Sequence, residues 1–176
     1  MIKVLLELFK IFFSQPSAAK LGVQKTKRIY ITEEDIVTSS GRYPERAKSS
    51  ELTDEVRRNI KDTANRVNAL LNELNWNEKV LISSGFRTSV SNAVTKGAAK
   101  KSSHMMGKAV DIVQPKNDNK LGKLIRQTQG DEGRGGILAR HGLMMESIEV
   151  TIGQQTSWVH LDTVPRAYRA TYEFKP

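Results

Sequence analysis

The stretch at residues 102–112, SSHMMGKAVDI, constrains the fold and the chemistry of this chain more than any other segment. It places a histidine and an aspartate, His104 and Asp111, close together in a chain that has 3 histidines in all. A buried carboxylate is costly unless it is hydrogen-bonded or paired with a cation. The small residues between them, Gly107 and Ala109, indicate a backbone held close to another part of the protein. His104 and Asp111 are therefore expected to be paired or to bind a cation.

Composition limits what such a site can contain. The chain of 176 residues is long enough for one domain of ordinary size, and its hydrophobic content of 38% is enough for a single core. It contains no cysteine, which excludes a disulfide framework, a thiolate nucleophile and a cysteine-based zinc site. Any metal must therefore be held by histidine, aspartate or glutamate.

The formal charge of +9 indicates an anionic partner, such as nucleic acid, an anionic membrane or a cell-wall polymer. The basic residues are scattered along the chain, and no basic helix with interleaved aromatic residues is present in the sequence. We therefore expect a solvated basic surface and no specific nucleic-acid partner.

Residues 1–19 are predicted to form an amphipathic helix and a connector, followed by one domain over residues 20–176. The polar residues of the apolar opening segment recur every three or four positions and so share one stripe of a helix. The segment is too short to span a bilayer. Residues 2–13 are therefore expected to pack on the protein or to contact a membrane surface. A signal peptide is the alternative, although a charged residue inside the apolar segment argues against it.

The rest of the pattern predicts an α+β fold with a small antiparallel sheet and flanking helices. Residues 51–75 carry apolar side chains every three or four positions, which is typical of a helix with one buried face. Two alternating segments near the end, 147–152 and 157–162, are predicted to form a hairpin through GQQT. The other predicted helices cover residues 32–37, 90–96, 121–129 and 137–141, and the other predicted strands cover 79–83 and 108–113.

Three potential metal ligands come from adjoining elements of this predicted sheet. His104 precedes the strand that carries Asp111, and His160 lies on the last strand. Two imidazoles and one carboxylate suit Zn²⁺, and three protein ligands leave a fourth position for water. Zinc held in this way favours amide hydrolysis. From spacing alone, a hydrogen-bonded core role stays open for these histidines, and His141, at a predicted helix end, is assigned to a structural role.

Three segments in this order, SGFRTSVSN, SSHMMGKAVDI and WVHLD, make the chain resemble a family of peptidoglycan peptidases. The family comprises zinc D-alanyl-D-alanine carboxypeptidases and L-alanyl-D-glutamate endopeptidases, and the hedgehog signalling domain is structurally related to it. The resemblance extends over residues 28–165 and includes the complete pattern Ser-x-His-x-x-Gly-x-Ala-x-Asp at residues 102–111. It implies a hedgehog-like zinc peptidase fold with zinc bound by His104, Asp111 and His160.

The resemblance also implies a role for Arg87, and the strand of His160 indicates roles for two further residues. Arg87, in the Ser-Gly-Phe-Arg turn, is expected to point into the cleft and to stabilise a substrate carbonyl or carboxylate. The alternative is a structural arginine that pairs with an acidic loop residue. Trp158 is expected either to line the cleft and contact the substrate or to pack in the core. Asp162 shares a strand face with His160 and is expected to orient it.

The general base is the point at which the chain departs from the family pattern. Many relatives carry glutamate or aspartate three residues before the last ligand histidine, whereas this chain has Ser157, which cannot act as a base near neutral pH. The predicted hairpin places Glu149 opposite Trp158, so Glu149 is the hypothesised base and Glu146 is the second candidate. The alternative is that both carboxylates are solvated strand residues.

These observations predict a zinc metallopeptidase that hydrolyses peptide bonds of bacterial peptidoglycan. Two alternatives stay open, namely a catalytically weak or inactive zinc-binding module of the same fold and a basic nucleic-acid-associated protein. The net positive charge agrees with attraction to an anionic cell wall. The expected location is the periplasm or cell wall, reached by export or by phage delivery because no convincing signal peptide is present.

Overall fold

In a computed structural model, the described residues are 27–116, 118–129, 136–151, 157–165 and 173–174. The predicted amphipathic helix and connector, residues 1–19, lie outside these ranges, and so does the GQQT segment. Within these ranges, no helix combines the length and the apolar character needed to cross a membrane.

The described ranges form one sheet with helices packed around it. The α-helices are α1 (Glu33–Thr38), α2 (Asp54–Glu73), α3 (Ser89–Val94), α4 (Lys120–Gln129), α5 (Ile137–Arg140) and α6 (Ile148–Thr151), and two short 3-10 helices cover Pro44–Lys48 and Ser103–Met106. The strands are β1 (Leu81–Ser84), β2 (Ala109–Val113), β3 (Met144–Glu146), β4 (Val159–Asp162) and β5 (Glu173–Phe174). The α+β prediction is confirmed.

The sheet has the strand order β1-β2-β4-β3-β5. The pairs β1–β2, β2–β4 and β4–β3 are antiparallel, and the short strand β5 runs parallel to β3. Strands β2 and β4 therefore lie inside the sheet, next to each other. A residue on one of them faces a partner on the other across a fixed register.

Helix α2 supplies one side of the core. Its first turn is capped by Thr53, whose hydroxyl accepts a hydrogen bond from the backbone of Val56. Its apolar residues recur at helical spacing, as the sequence predicts, and they are buried. They belong to the same core cluster as Val110 and Ile112 of β2 and Leu161 of β4. The buried apolar residues of α2 are Ile60, Ala64, Val67, Leu70 and Leu71.

One predicted strand is wrong. Residues 148–151 form the short helix α6, and β4 pairs with β2 and β3 instead of with a strand at 147–152. The reason is that Ile148 and Thr151 are both buried while Glu149 is exposed, a spacing that suits a helical turn. Over so few residues, alternation and helical spacing cannot be told apart.

Candidate metal centre

The register of the neighbouring strands β2 and β4 brings two of the predicted ligands together. Asp111 of β2 lies directly opposite His160 of β4. Because side chains alternate along a strand, Val110 and Ile112 point into the core while Asp111 points to the other face. Asp111 Oδ1 and His160 Nδ1 are 2.7 Å apart, and both residues are buried.

The third predicted ligand, His104, is carried by a tight turn before β2. The 3-10 helix at Ser103–Met106 ends at Gly107, whose φ of 68° lies in the left-handed region that glycine tolerates. A Cβ atom on Gly107 would come within 2.8 Å of the carbonyl oxygen of Val56 in α2. The Thr63 hydroxyl of α2 donates to the Gly107 carbonyl at 3.0 Å. Helix α2 therefore fixes the turn that positions His104.

The turn after β1 holds His104 from the other side. Gly85 packs against α1 so closely that a Cβ atom would overlap the carbonyl of Ile36, and the amide of Phe86 donates to that same carbonyl at 2.8 Å. The Gly85 carbonyl lies 2.8 Å from His104 Nδ1. A carbonyl only accepts, so Nδ1 donates the proton and the Nε2 lone pair of the neutral ring is directed to the centre.

A buried arginine supports the same turn. Arg46 is 6% exposed, and its guanidinium donates to the Phe86 carbonyl at 2.6 Å and to the Ser91 hydroxyl at 2.7 Å. The same group donates to the Ser39 hydroxyl at 3.2 Å and stacks on the Tyr43 ring. Arg46 therefore connects α1, the turn after β1 and α3. The sequence gives no signal for this residue, because its partners are a carbonyl and hydroxyls that carry no charge pattern.

His104, Asp111 and His160 form one compact donor set. One ligand atom from each lies within 4.8 Å of the other two, and all three residues are buried. His104 Nε2 lies 3.4 Å from Asp111 Oδ2. Two nitrogens and one carboxylate oxygen at this spacing match the donors that Zn²⁺ prefers. The residues therefore fit a zinc ion.

A second carboxylate faces His160 from the same strand. Asp162 is fully buried, and its Oδ2 lies 3.4 Å from His160 Nε2. The backbone amide of Val164 donates to Asp162 Oδ1 at 3.1 Å. A ligand histidine usually has its remote nitrogen held by a carboxylate or carbonyl, and both histidines of this set do. The geometry agrees with the expected orienting role of Asp162.

The electrostatics of the set keep its carboxylate ionised. Burial raises the pKa of Asp111, but the neighbouring His104 and His160 outweigh burial and hold that pKa well below its usual range. Burial lowers the pKa of His104. Burial also acts to lower the pKa of His160, but hydrogen bonds to Asp111 and Asp162 raise it to about 9. A proton on His160 and a metal ion would therefore compete for the same site.

The donor set opens into a cleft of about 690 Å³. Arg87 lines it, and its guanidinium lies 3.1 Å from Asp111 Oδ2 and 2.8 Å from the Ser84 hydroxyl. Arg87 thus lines the cleft as expected, and its acidic partner is Asp111 of β2 instead of the loop residue that the structural alternative required. Trp158 also lines the cleft, as the first of its two alternatives required.

The two candidate bases occupy different places. Glu149 lies on α6, where Arg126 binds its carboxylate through contacts of 2.5 Å and 2.8 Å, and the Ser147 hydroxyl also contacts it. Arg126 and Ser147 lower the pKa of Glu149, which is the wrong direction for a base. Glu149 is also absent from the cleft lining, whereas Glu146 is part of it. The placement of Glu149 at the metal was wrong because the strand that carried it is a helix.

The fold and the site define a class of protein. A buried His-Asp-His set at the base of an open cleft is the arrangement of a metal-dependent hydrolase, in which a position stays open for the reactants. The family model described as Peptidase M15 matches residues 30–145, about two thirds of the chain. The chain belongs to this family of zinc peptidases and is a zinc metallopeptidase. Searches of curated proteins and of solved structures gave no match.

Proposed function

We propose that the protein hydrolyses peptide bonds of bacterial peptidoglycan with a zinc ion held by His104, Asp111 and His160. The observation that carries the proposal is the convergence of these three side chains, from a turn and two inner strands, at the base of an open cleft. The net charge of +9 supports an anionic polymer as the substrate. Its place of action is then the cell wall, outside the cytoplasm.

The surrounding residues have distinct roles in this proposal. A zinc ion held by His104, Asp111 and His160 would act as a Lewis acid, which would polarise the substrate carbonyl and lower the pKa of water. The Gly85 carbonyl and the Asp162 carboxylate orient the rings of His104 and His160. Arg87 lies at the cleft with its guanidinium against Asp111, where it can donate to a substrate oxygen.

Glu146 is the residue that we assign as the general base. It lines the cleft at the end of β3, and extending the register of Met144 with Asp162 and Met145 with Leu161 places it opposite His160. It is partly buried, unlike the exposed Glu149. A carboxylate there can accept the proton of an attacking water and deliver it to the leaving amine.

Digestion of purified peptidoglycan by the zinc-loaded protein tests the function directly. Mass spectrometry of the released muropeptides identifies the bond that is cut, because each cleavage leaves a different pair of end groups. The chelator-treated protein is the control, and readdition of zinc should restore the release of fragments. A protein that retains zinc but releases no fragment would contradict the proposal and support a binding module.

A matched pair of substitutions tests the base. We expect Glu146→Gln to retain zinc and to lose about a hundredfold or more in kcat, the usual size of a general-base contribution. Glu149→Gln is the control, because it removes an equal charge from a carboxylate paired with Arg126 outside the cleft. The two variants are compared by metal content and by initial rates on one muropeptide. Full activity of Glu146→Gln would remove Glu146 from the mechanism.

A further inference from the structure

The cleft carries lysines that neither the metal centre nor the base accounts for. Lys96 and Lys101 both line the cleft and are exposed to solvent. They belong to the loop at residues 95–101, which connects α3 to the 3-10 helix of His104. Lys100 lies in the same loop and is exposed, but it is not part of the cleft lining.

The lysine-bearing loop is held by hydrogen bonds. The Asn92 amide of α3 donates to the Ala99 carbonyl at 2.9 Å, and the Thr95 hydroxyl donates to the Ser91 carbonyl at 2.8 Å. The backbone of Ala98 closes a turn onto Thr95 at 3.1 Å. The two lysine side chains therefore extend from a defined backbone, and Asn92 has the loop-organising role that its amide suggests.

The charges of the cleft leave these lysines uncompensated. Arg87 is paired with Asp111, and Glu146 is the other carboxylate of the lining. Among the residues that the structure describes, Lys96 and Lys101 have no ion-pair partner. A zinc ion would add two more positive charges to the same space. The cleft is thus suited to a ligand with a negative charge of its own.

We propose that Lys96 and Lys101 form a carboxylate-recognition site that selects peptides with a free carboxylate beside the scissile bond. This inference rests on the proposed function and narrows its substrate class. A lysine ammonium is a point charge on a flexible stem, so it recognises the charge of a carboxylate with few demands on its orientation. Amidation of that carboxylate removes the charge and should remove the preference.

A carboxylate at this place has two sources in peptidoglycan. One is the C-terminal carboxylate that follows a D-alanyl-D-alanine bond, and the other is the internal carboxylate that follows an L-alanyl-D-glutamyl bond. Both offer the same chemistry to the lysines. The experiment therefore uses two pairs of synthetic peptides, one pair for each bond, in which the carboxylate is either free or amidated.

Three forms of the zinc-loaded protein are compared on these peptides. They are the parent chain, the double variant Lys96→Gln with Lys101→Gln, and the control Lys100→Gln, which removes a charge from the same loop outside the cleft. We expect the parent to favour the free carboxylate by about tenfold or more in kcat/KM, as for a charged hydrogen bond. The double variant should lose most of this preference, and Lys100→Gln should keep it. The pair that shows the preference identifies the source of the carboxylate.

Binding of the same peptides, measured by calorimetry, gives a readout that does not depend on hydrolysis. Lysine-dependent binding of the free carboxylate without any cleavage would support the recognition site and contradict the proposed function. Equal kcat/KM and equal affinity for free and amidated peptides in the parent would overturn the recognition site, even if peptidoglycan is hydrolysed. An equal loss of preference in Lys100→Gln would also overturn it, because a general effect of charge would then suffice.

Discussion

Two regions of the molecule contain a histidine and a carboxylate at the same separation. His160 Nδ1 lies 2.7 Å from Asp111 Oδ1 in the sheet, and His141 Nε2 lies 2.7 Å from Glu73 Oε2 where α2 and α5 end. The side chains of the first pair are each 11% exposed, whereas Glu73 is 39% exposed. The contact itself is the same, so the surroundings must determine what each pair does.

The surroundings differ in what else reaches the carboxylate. Glu73 is bound by Arg140 at 2.6 Å as well as by His141, so a surface ion pair is completed by a neighbour on α5. Asp111 also has an arginine partner, Arg87 at 3.1 Å, but a second histidine, His104, approaches it as well, and its cluster opens to the cleft. A group of ligand atoms that converges and stays accessible can bind an ion, while a closed ion pair joins two helices. The pair at Glu73 agrees with the structural role expected for His141.

Loss of one histidine from each region should give the largest contrast. We expect His160→Ala to reduce zinc from about one ion per chain to almost none, since a site with three protein ligands cannot spare one. His104→Ala should have the same effect. His141→Ala should retain the ion. Metal analysis after dialysis against metal-free buffer measures all three, and full occupancy in His160→Ala would show that the two regions do not differ in this way.

Removing the charge of the carboxylate next to each histidine should give a smaller contrast, which is measured as zinc affinity. Asp162→Asn leaves the three ligands in place but removes the buried charge that faces His160, so zinc affinity should fall by about tenfold or more. Glu73→Gln removes the carboxylate that faces His141 and should leave zinc affinity unchanged. Competition with a fluorescent chelator measures both. Equal affinities in the two variants would mean that Asp162 does not support the site.

The two regions should also differ in how much an arginine contributes to the free energy of unfolding. Arg46→Met leaves the buried Phe86 carbonyl without its donor, which should lower the free energy of unfolding by about 1–3 kcal/mol. Arg140→Met breaks a surface pair and should cost less than about 1 kcal/mol. Urea denaturation of the metal-free proteins gives both values. A larger cost for Arg140→Met would reverse the contrast between buried and exposed groups.

The smallest expected effect is the change with pH in the free energy of unfolding that the Glu73 ion pair contributes. The hydrogen bond from Arg140 and the contact with His141 lower the pKa of Glu73 in the folded protein. A carboxyl whose pKa is lowered by folding stabilises the protein above its unfolded pKa, and this contribution is lost as the pH falls through the folded pKa. The difference in free energy of unfolding between the parent and Glu73→Gln should therefore narrow from about pH 6 towards pH 3. A difference that stays constant would show that Glu73 does not contribute through its charge.

The sequence predicted those parts of the molecule in which the pattern is long or the residue types are chemically distinctive. The helix α2 was evident because its apolar spacing persists over many turns, and the meeting of Asp111 and His160 followed from two strands of one sheet. Residues 148–151 were predicted wrongly, because a segment of that length fits both periods. The predicted position of Glu149 depended on that strand, so it was wrong as well.

Other parts of the site could not be predicted because they depend on contacts between distant segments. Arg46 stands in a stretch that reads as loop, yet it binds groups about 40 residues away, at Phe86 and Ser91. Its burial follows from the packing of α1 against the turn after β1. A sequence pattern records the spacing of neighbours along the chain, and it contains no signal for a guanidinium held by a carbonyl and hydroxyls.

The opposition of Asp111 and His160 across β2 and β4 also has a consequence for how distant parts of the folded chain are linked. These residues are 49 positions apart, so an ion held by both would close a large loop. Unlike a disulfide, this link forms only where the three ligands converge in the folded chain, so it stabilises the fold by binding to it and does not restrict the unfolded ensemble. The chain has no cysteine, so a coordinated ion is a cross-link that forms equally well in reducing and oxidising surroundings. A chelator would remove this cross-link, and added metal would restore it, without any redox chemistry.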